Sequence, residues 1–498
     1  MRLERLYWLV TVAVLVSLAH AAKTYTDSFP SSLRELDLEN YTPVSLQEKA
    51  KTYLGKLRRR LRKEEIVPTT TSTISDSTST SFNSKLPAGS FGKKSRSLTN
   101  LSVVKGGGSA KKKILILMSD TGGGHRASAQ ALDQALQEQH PGKIDVNIMD
   151  IWTDHAPFPY NRFVPMYRYL AKHPILWRGM YAYGKFPPTK LFQEVDSRRV
   201  CYKRFKRAIE DADPDFVVSV HPLCQLIPIS IVQEMNRKRS PEKPRIPFVT
   251  IVTDLGSAHS TWFDRRADAV FVPSTEVRDI ARRCGYPASK ILMKGLPIRP
   301  SFWKESQPKD AVRKTLGMAD HMKTVLLMGG GDGVGGLGNI AAEVTNKLKK
   351  LDLKSRLIVI CGHNAKMTQQ LTQKLRPDPD HVDVMVKGFV DNIDEYMSAS
   401  DCLITKAGPG TIAESMIRGL PLIISSYLPG QEYGNVPFVV KGGFGVYTGN
   451  NPKKIASTVS DLVSNDTRLR EMSEHAKILS HPEATKAIAT DIAGVLLQ

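Results

Sequence analysis

Short apolar runs alternate with longer amphipathic stretches over most of the 498-residue chain. The runs predict buried strands and the stretches between them predict helices, an alternation typical of β-α-β units and parallel sheets. In the first half we expect strands at 114–118, 144–149, 216–220, 248–252, 269–272 and 291–293. In the second half we expect strands at 324–328, 356–361, 382–386 and 402–405. The main predicted helices are 127–139, 198–211 and 483–497.

The first 112 residues lack this alternation. Residues 1–22 have a basic start, a short apolar run and a small-x-small site, which predicts a signal peptide, with an uncleaved anchor as the alternative. Residues 66–113 are rich in Ser, Thr, Gly and Lys and contain one acid, so we expect 23–112 to be a disordered, transit-like segment. A signal followed by such a segment is typical of plastids bounded by extra membranes. A secreted or endoplasmic-reticulum protein with a flexible spacer is the alternative.

A proline-rich stretch near residues 296–308 divides the alternating part in two. We therefore expect a first α/β domain at 113–300, a linker at 301–322, a second α/β domain at 323–482 and a C-terminal helix at 483–498. The five cysteines have no CxxC spacing and predict buried free thiols. The net charge of +21 favours anionic partners without choosing among nucleotides, acidic lipids and nucleic acid.

The first candidate for chemistry is His125, which follows Gly122, Gly123 and Gly124 after the first predicted strand. Consecutive glycines permit a tight turn and close approach of a ligand, and this position is the carboxyl edge of a parallel sheet, where α/β proteins place their sites. A histidine there can accept a proton near neutral pH. The alternative is a histidine that only caps a turn. Other polar residues follow later strands and point to the same edge: His221, Asp254 and His259.

The second candidate is the strand, turn and helix unit around Gly408-Pro-Gly410-Thr411, with Glu414 one turn into the helix. Amides of a helix's first turn have no intrahelical partner and can hold a phosphate, while Glu414 could reach a ribose. An ordinary helix start is the alternative. The glycine-rich loop 329–336 lacks a Walker ending, but its exposed amides are suited to a diphosphate cradle or a lid.

Aromatic and basic residues interleave between residues 152 and 186. This composition suits a membrane interface, where rings lie at headgroup depth and cations meet lipid phosphates. It also suits stacking of single-stranded nucleic acid, or helices that pack on the sheet and present a basic face to solvent. The residues alone leave these three interpretations open.

The segments 119–129 and 401–435 resemble the monogalactosyldiacylglycerol synthases, and the resemblance runs from about residue 113 to about residue 487. It implies the GT-B glycosyltransferase architecture, with two Rossmann-like domains facing across a cleft. It also implies an inverting transfer of galactose from UDP-galactose to 1,2-diacylglycerol. His125 would be the catalytic base, with Asp254 and His259 as candidates to orient it or to touch the acceptor.

The resemblance further implies a donor site in the second domain. Gly388, Phe389 and Val390 would meet the uracil, Glu414 the ribose, and Gln431 and Glu432 the hexose, with Asn435 nearby. The diphosphate would lie at Gly408, Gly410 and Thr411, with phosphate-side loops at Gly123, Gly124, Gly330 and Gly331. Trp262, Arg162 and Arg168 would belong to a membrane or acidic-lipid surface.

The implied partners are a UDP-sugar donor, a diacylglycerol acceptor and anionic membrane lipids, with no nucleic acid, no cofactor and no obligate metal. The implied location is the plastid envelope, as a peripheral membrane protein. Three alternatives stay open: a glucosyl or N-acetylglucosaminyl transferase, a UDP-sugar epimerase, and a catalytically silent module that binds nucleotide sugars or acidic lipids.

Overall fold

The computed structural model describes Leu98 and residues 111–121, 124–171, 187–318, 321–329, 336–378, 380–428 and 431–497. The predicted signal peptide and, apart from Leu98 and residues 111–112, the transit-like segment lie outside these residues. So do Gly123, Gly330 and Gly331, and the side chain of Arg168. Among the described residues, no helix combines the length and apolar character that crossing a bilayer requires.

The first domain is built on a parallel six-stranded sheet with the order β2-β1-β3-β4-β5-β6. Its strands are β1 Lys112–Met118, β2 Ile144–Asp150, β3 Phe216–Ser219, β4 Phe248–Ile251, β5 Ala269–Val272 and β6 Ile291–Met293. Its helices are α1 Gly124–Gln139, α2 Ile151–His155, α3 Phe163–Ala171, α4 Pro187–Ala212, α5 Leu226–Lys238 and α6 Thr275–Arg283. All six strands lie at the predicted positions. The inner strands β3, β4 and β5 are buried along their whole length, as expected for strands covered on both faces, whereas the edge strand β2 also carries exposed polar residues.

The second domain repeats the plan, with the sheet order β12-β11-β10-β7-β8-β9. Its strands are β7 Lys323–Met328, β8 Ser355–Ile360, β9 Val382–Lys387, β10 Cys402–Lys406, β11 Leu422–Ser426 and β12 Gly445–Tyr447. Its helices are α7 Lys309–Thr315, α8 Leu337–Leu348, α9 Ala365–Lys374, α10 Ile393–Ala399, α11 Pro409–Ile417, α12 Asn435–Lys441, α13 Pro452–Val463 and α14 Asp466–Ile478. The predicted parallel α/β class is confirmed in both halves.

The segment predicted as a linker is folded. Helix α7 lies within it, and Phe302, Val312 and Met318 are buried in the core of the second domain. Arg313 donates to the Ala399 carbonyl at 2.9 Å, which fastens the helix to the end of α10. The prolines at 297, 300 and 308 predict a link between the two halves, but the apolar side chains at and beyond them pack this segment into the core of the second domain. Leu98, predicted to be disordered, is likewise buried against the first domain's core.

The last helix, α15 Ala484–Leu496, belongs to the first domain by its contacts. Ile488 and Ile492 are fully buried among side chains of α1 and the first sheet. The Thr485 hydroxyl bonds both the amide and the carbonyl of Ile298, each at 2.9 Å, and Lys294 pairs with Asp491 at 3.0 Å. The chain therefore crosses from the second domain back to the first.

Candidate active site

His125 lies at the carboxyl edge of the first sheet, in the first turn of α1. The sequence predicts a helix that begins only at residue 127, with His125 before it. The helix starts earlier because first-turn residues need no amide partner within the helix, so Gly124 and His125 join it at little cost. This position holds the imidazole against the end of β3 instead of in a free loop, and 93% of the residue is shielded from solvent.

Two neighbours fix the tautomer of His125. Its Nδ1 lies 2.9 Å from the Val220 carbonyl oxygen and 2.8 Å from the Thr253 hydroxyl. A carbonyl only accepts hydrogen bonds, so Nδ1 carries the proton and donates it. The other ring nitrogen, Nε2, then holds the lone pair, and it has no hydrogen-bond partner among the described residues. That arrangement is what a general base requires.

The surroundings keep His125 neutral. Burial lowers the pKa of His125 from its ordinary 6.5 to about 4, while the Val220 hydrogen bond and the charge of Asp120 oppose the shift. Asp120 is itself paired with Arg126 at 3.3 Å. The imidazole is therefore unprotonated at any pH well above 4, and the carbonyl and carboxylate nearby favour the imidazolium that proton uptake would form.

His221, which the sequence places at the same edge, packs edge-on against His125 with ring centroids 4.4 Å apart. The Leu223 amide donates to His221 Nδ1 at 3.1 Å, so its Nε2 carries the proton and donates to the Thr121 hydroxyl at 2.8 Å. Burial lowers the pKa of His221 well below its ordinary value. Both nitrogens of His221 form hydrogen bonds and its ring is buried, so His221 stays neutral. Its ring packs against the ring of His125 and so helps to fix the orientation of His125.

Asp254 lies near this pair and accepts a hydrogen bond from the Trp262 indole at 2.7 Å. Trp262 is fully buried, and its ring centroid lies 6.2 Å from that of His125. The prediction that Trp262 belongs to a membrane surface is therefore wrong, because its ring packs inside the domain and its N–H serves Asp254. His259 caps the short turn Ser260–Trp262 by accepting the Thr261 amide at 3.3 Å.

The effect of burial on the ionisation of Asp254 can be tested through the pH dependence of stability. Burial raises the pKa of Asp254 from 3.8 to about 7, Trp262 opposes the shift and the charge of Glu432 adds to it. Between about pH 4 and 7 the folded protein then binds a proton that the unfolded chain has lost, so this carboxyl's contribution to stability falls as pH rises through that window. We expect Asp254→Asn to raise the melting temperature by a few degrees at pH 8 and by less at pH 5, measured by scanning calorimetry.

Asn is the matched replacement because its amide oxygen can still accept from Trp262. Asp145→Asn, at an exposed position in β2, controls for the loss of one negative charge. A gain in stability that is equal at pH 5 and pH 8 would contradict the shifted ionisation of Asp254.

In the second domain, Gly408 precedes α11 at the end of β10, as the strand, turn and helix pattern predicts. A Cβ added at Gly410 would meet no atom within 4 Å, so the turn leaves open space above the helix start, beside Thr411. Glu414 is buried one turn further on, and its Oε1 accepts from Arg299 at 2.8 Å. Burial raises the pKa of Glu414 and Arg299 opposes that shift, while the contact with Arg299 holds the carboxyl group at the predicted ribose position.

Glu432 is also buried and ion-paired. Its Oε1 bonds the Lys406 ammonium, and its Oε2 accepts the Leu428 amide at 2.8 Å. Lys406 ends β10 and its ammonium lies beside Gly408. A single cation therefore lies between the predicted hexose residue and the predicted diphosphate turn.

The two domains meet along a seam that includes the predicted sugar residues. The Asn435 carboxamide accepts the Gly256 amide at 2.7 Å and donates to the Ala407 carbonyl at 2.8 Å, so it ties the first domain to the second. A Cβ at Gly256 would lie 2.2 Å from the Gly434 carbonyl oxygen, which means that these backbones touch. Only glycine permits such an approach.

The predicted uracil residues follow β9 at the carboxyl edge of the second sheet. Phe389 is 53% exposed and stacks on His363, with centroids 4.3 Å apart and planes 11° apart. Gly388 approaches Gly362, and Val390 packs on the core. Their contact with a base stays a prediction, for which an exposed aromatic platform is the suitable chemistry.

In the region of interleaved aromatic and basic residues between 152 and 186, some of the described side chains are buried in the core and others are exposed. Trp152 packs edge-on against Phe163 and Phe205 at centroid distances of 5.4 and 5.1 Å. Phe158 is 77% exposed, and Arg162 is exposed next to α3. Residues 172–186, which hold many of the predicted interface aromatics, lie outside the described residues.

Sequence reasoning missed four residues of the site: Thr253, Arg299, Lys406 and Tyr167. Each contacts a predicted residue from a distant part of the chain, as Tyr167 does when its hydroxyl donates to Gln431 Oε1 at 2.8 Å. Of these four residues, only Lys406 could have been identified from the sequence, because a basic residue next to a glycine turn indicates a phosphate site. Within the described ranges, no group of three or more His, Cys, Asp or Glu side chains is placed to hold a metal ion.

The architecture matches solved structures. MurG from Acinetobacter baumannii superposes with a TM-score of 0.50 at 15% identity, over 76% of this chain and 98% of that one, which is a likeness of fold. Residues 324–488 match the glycosyltransferase family 28 C-terminal domain. Two parallel α/β domains, with the histidine at the edge of one and the phosphate-type turn in the other, define a GT-B glycosyltransferase.

Sequence comparison specifies the family. Residues 125–298 match the family described as monogalactosyldiacylglycerol (MGDG) synthase. The chain is 42% identical over 379 residues to the chloroplastic monogalactosyldiacylglycerol synthase of Spinacia oleracea, covering 75% of this chain and 70% of that protein. Identity to the chloroplastic monogalactosyldiacylglycerol synthase 1 of Arabidopsis thaliana is 40% over 379 residues, covering 75% and 69%. The chain belongs to the monogalactosyldiacylglycerol synthase family.

Proposed function

We propose that the protein transfers galactose from UDP-galactose to the free hydroxyl of 1,2-diacylglycerol with inversion, giving β-linked monogalactosyldiacylglycerol. The observation that carries this proposal is the identity of about 40% to named synthases over 75% of the chain. Those relatives are named chloroplastic, which supports a plastid location. We place the enzyme peripherally on the envelope, reached through the N-terminal signal and transit-like segment, with anionic lipids at its surface.

His125 is the base in this proposal. Its Nε2 takes the proton from the acceptor hydroxyl while the hydroxyl oxygen forms a bond to the anomeric carbon. The bond from that carbon to the diphosphate oxygen breaks, so the proton ends on the imidazole and the electron pair ends on UDP. Support comes from the Nδ1 hydrogen bond to Val220, which leaves Nε2 as the acceptor. Asp254 and His259 would serve the acceptor side; for Asp254, support comes from its bond to Trp262, which packs near His125.

The departing diphosphate gains negative charge, which the second domain is suited to stabilise. First-turn amides of α11 after Gly408 supply hydrogen-bond donors, and the Lys406 ammonium supplies positive charge beside them. Glu414 would accept the ribose hydroxyls, and Gln431 and Glu432 would meet the hexose. Gly123, Gly124, Gly330 and Gly331 would contribute backbone amides from the two glycine loops.

The experiment is transfer of labelled sugar to diacylglycerol in mixed micelles that contain an anionic lipid. UDP-galactose is compared with UDP-glucose and UDP-N-acetylglucosamine. We expect galactose alone to reach the lipid, with a β linkage by NMR. Transfer of another hexose would change the donor. Conversion of the UDP-sugar without acceptor would indicate an epimerase, and binding without any reaction would indicate a silent module.

The reaction as proposed needs no metal, since Lys406 and the α11 amides provide the stabilising charge. We therefore expect dialysis against EDTA to leave the transfer rate within about twofold of the untreated enzyme. The same dialysis with Mg²⁺ or Mn²⁺ added back is the control. A loss of more than tenfold that either ion restores would refute metal independence.

A further inference from the structure

The first domain holds the loop that carries the predicted hexose residues. We call residues 431–435 the sugar loop. Tyr167 on α3 donates to the Gln431 side chain at 2.8 Å, Ser257 donates to the Gln431 carbonyl at 3.4 Å, and Gly256 donates to Asn435. All three donors come from the first domain, whereas the sugar loop belongs to the second.

The Tyr167 hydroxyl is a dependable donor at this place. Burial raises the pKa of Tyr167 above its ordinary value, and the neighbouring charges of Glu432 and Asp254 raise it further. The phenol therefore stays protonated throughout the working pH range. Its hydroxyl bonds Gln431 across the two domains and lies within the electrostatic influence of Glu432 and Asp254.

The bond from Tyr167 decides what Gln431 can offer a ligand. A carboxamide has an acceptor oxygen and a donor NH₂ group on opposite sides, and here the oxygen faces Tyr167 and accepts its hydrogen bond. The NH₂ group therefore faces away from Tyr167. Glu432, held by Lys406 and the Leu428 amide, offers only acceptor oxygens. Gln431 and Glu432 together present one donor group and one acceptor group.

A donor next to an acceptor suits two neighbouring sugar hydroxyls, one of which accepts and the other donates. Galactose and glucose differ only in the direction of one hydroxyl, so their discrimination depends on a fixed pattern of this kind. If the Gln431 amide could rotate and exchange the positions of its oxygen and its NH₂ group, it could form a hydrogen bond with either sugar. An amide that cannot rotate therefore discriminates between the two sugars better than an amide that can.

We propose that Tyr167 is a positioning residue that locks the Gln431 amide as a hydrogen-bond donor to the hexose, so that selection of the donor sugar depends on the first domain. This inference rests on the proposed function, because it assigns a role within the same transfer reaction. It adds a residue that contacts no reacting atom and acts through Gln431.

The test is a double-mutant cycle in the full-length enzyme with Tyr167→Phe, Gln431→Ala and the pair together. We expect Tyr167→Phe to lower kcat/KM for UDP-galactose by about tenfold, the value of one hydrogen bond, mainly through KM. The loss with UDP-glucose should be smaller, so the preference for galactose falls. UDP affinity by calorimetry should stay unchanged, and Tyr167→Phe should cost nothing further in the Gln431→Ala background.

Tyr169→Phe is the matched control, since Tyr169 lies on the same helix and is 38% exposed. Two results would overturn the proposal: losses that add fully in the double variant, or a parallel fall in UDP affinity, which a general structural role would produce. If wild-type enzyme transfers galactose and Tyr167→Phe equals it, only this inference fails. If wild-type enzyme transfers no galactose, the proposed function itself fails.

Discussion

Replacing His125 by alanine is expected to lower kcat for galactosyl transfer by about 10³-fold, within the range typical of a lost general base. The acceptor hydroxyl then keeps its proton as it attacks, and His221 cannot substitute because both of its nitrogens are engaged. KM for the donor should change little, since the donor residues lie in the other domain. Steady-state kinetics with UDP-galactose and diacylglycerol micelles measure both constants.

His125→Gln is the companion variant, because it keeps a polar side chain that can donate to Val220 yet cannot take a proton. Both variants should melt within a few degrees of wild type, and both should be equally inactive. Because the pKa of His125 is lowered to about 4, wild-type activity should show no loss from His125 protonation until pH falls toward that value. A glutamine variant with more than a tenth of wild-type kcat would exclude His125 as the base.

Replacing Gly256 by alanine is expected to lower kcat/KM by about 10²-fold, the effect of displacing reacting groups by about 1 Å. The added Cβ would lie 2.2 Å from the Gly434 carbonyl oxygen, and both partners are backbone atoms that cannot rotate away. The seam must open, which pulls Asn435 and the sugar loop from the first domain. Steady-state kinetics with UDP-galactose and diacylglycerol provide the measurement.

Gly494→Ala is the control for a glycine substitution as such. A Cβ at Gly494 would meet no atom within 4 Å, and alanine in α15 should stabilise the helix slightly. Gly256→Ala should retain UDP binding, because the predicted diphosphate turn at Gly408, Gly410 and Thr411 is part of the second domain's own strand, turn and helix unit. Full activity in Gly256→Ala would show that the seam can open without affecting catalysis.

Much of the fold could be predicted from the sequence because both sheets are parallel and their inner strands are covered on both faces, which makes those strands apolar runs. Strands β11 and β12 were not predicted; β11 follows Pro421 directly, and the three residues of β12 include Gly445, too short a pattern to stand out. The segment 301–322 was predicted as a linker because it follows the prolines at 297 and 300 and contains Pro308, while Phe302, Val312 and Met318 pack it into the second domain. Trp262 was misplaced because an aromatic near basic residues has the same pattern whether its indole lies at a surface or inside a domain.

The residues of the candidate site also fall into a group that could be predicted from the sequence and a group that could not. Residues that follow a strand, such as His125 and Gly408, are predictable because chain connectivity alone brings them to the carboxyl edge. Residues that act through distant contacts are not. Tyr167 and Gln431 are 264 positions apart, and nothing in the local pattern around either one identifies the other. The role of Asn435 as a tie between domains depends on the same kind of long-range contact.

The position of helix α15 has a consequence for how the chain matures. Because Ile488 and Ile492 complete the core of the first domain, that domain cannot finish folding while the C-terminus is still inside the ribosome. The domain that carries His125 is made first and completed last. An enzyme truncated before residue 484 would therefore lack part of the core that supports the His125 domain.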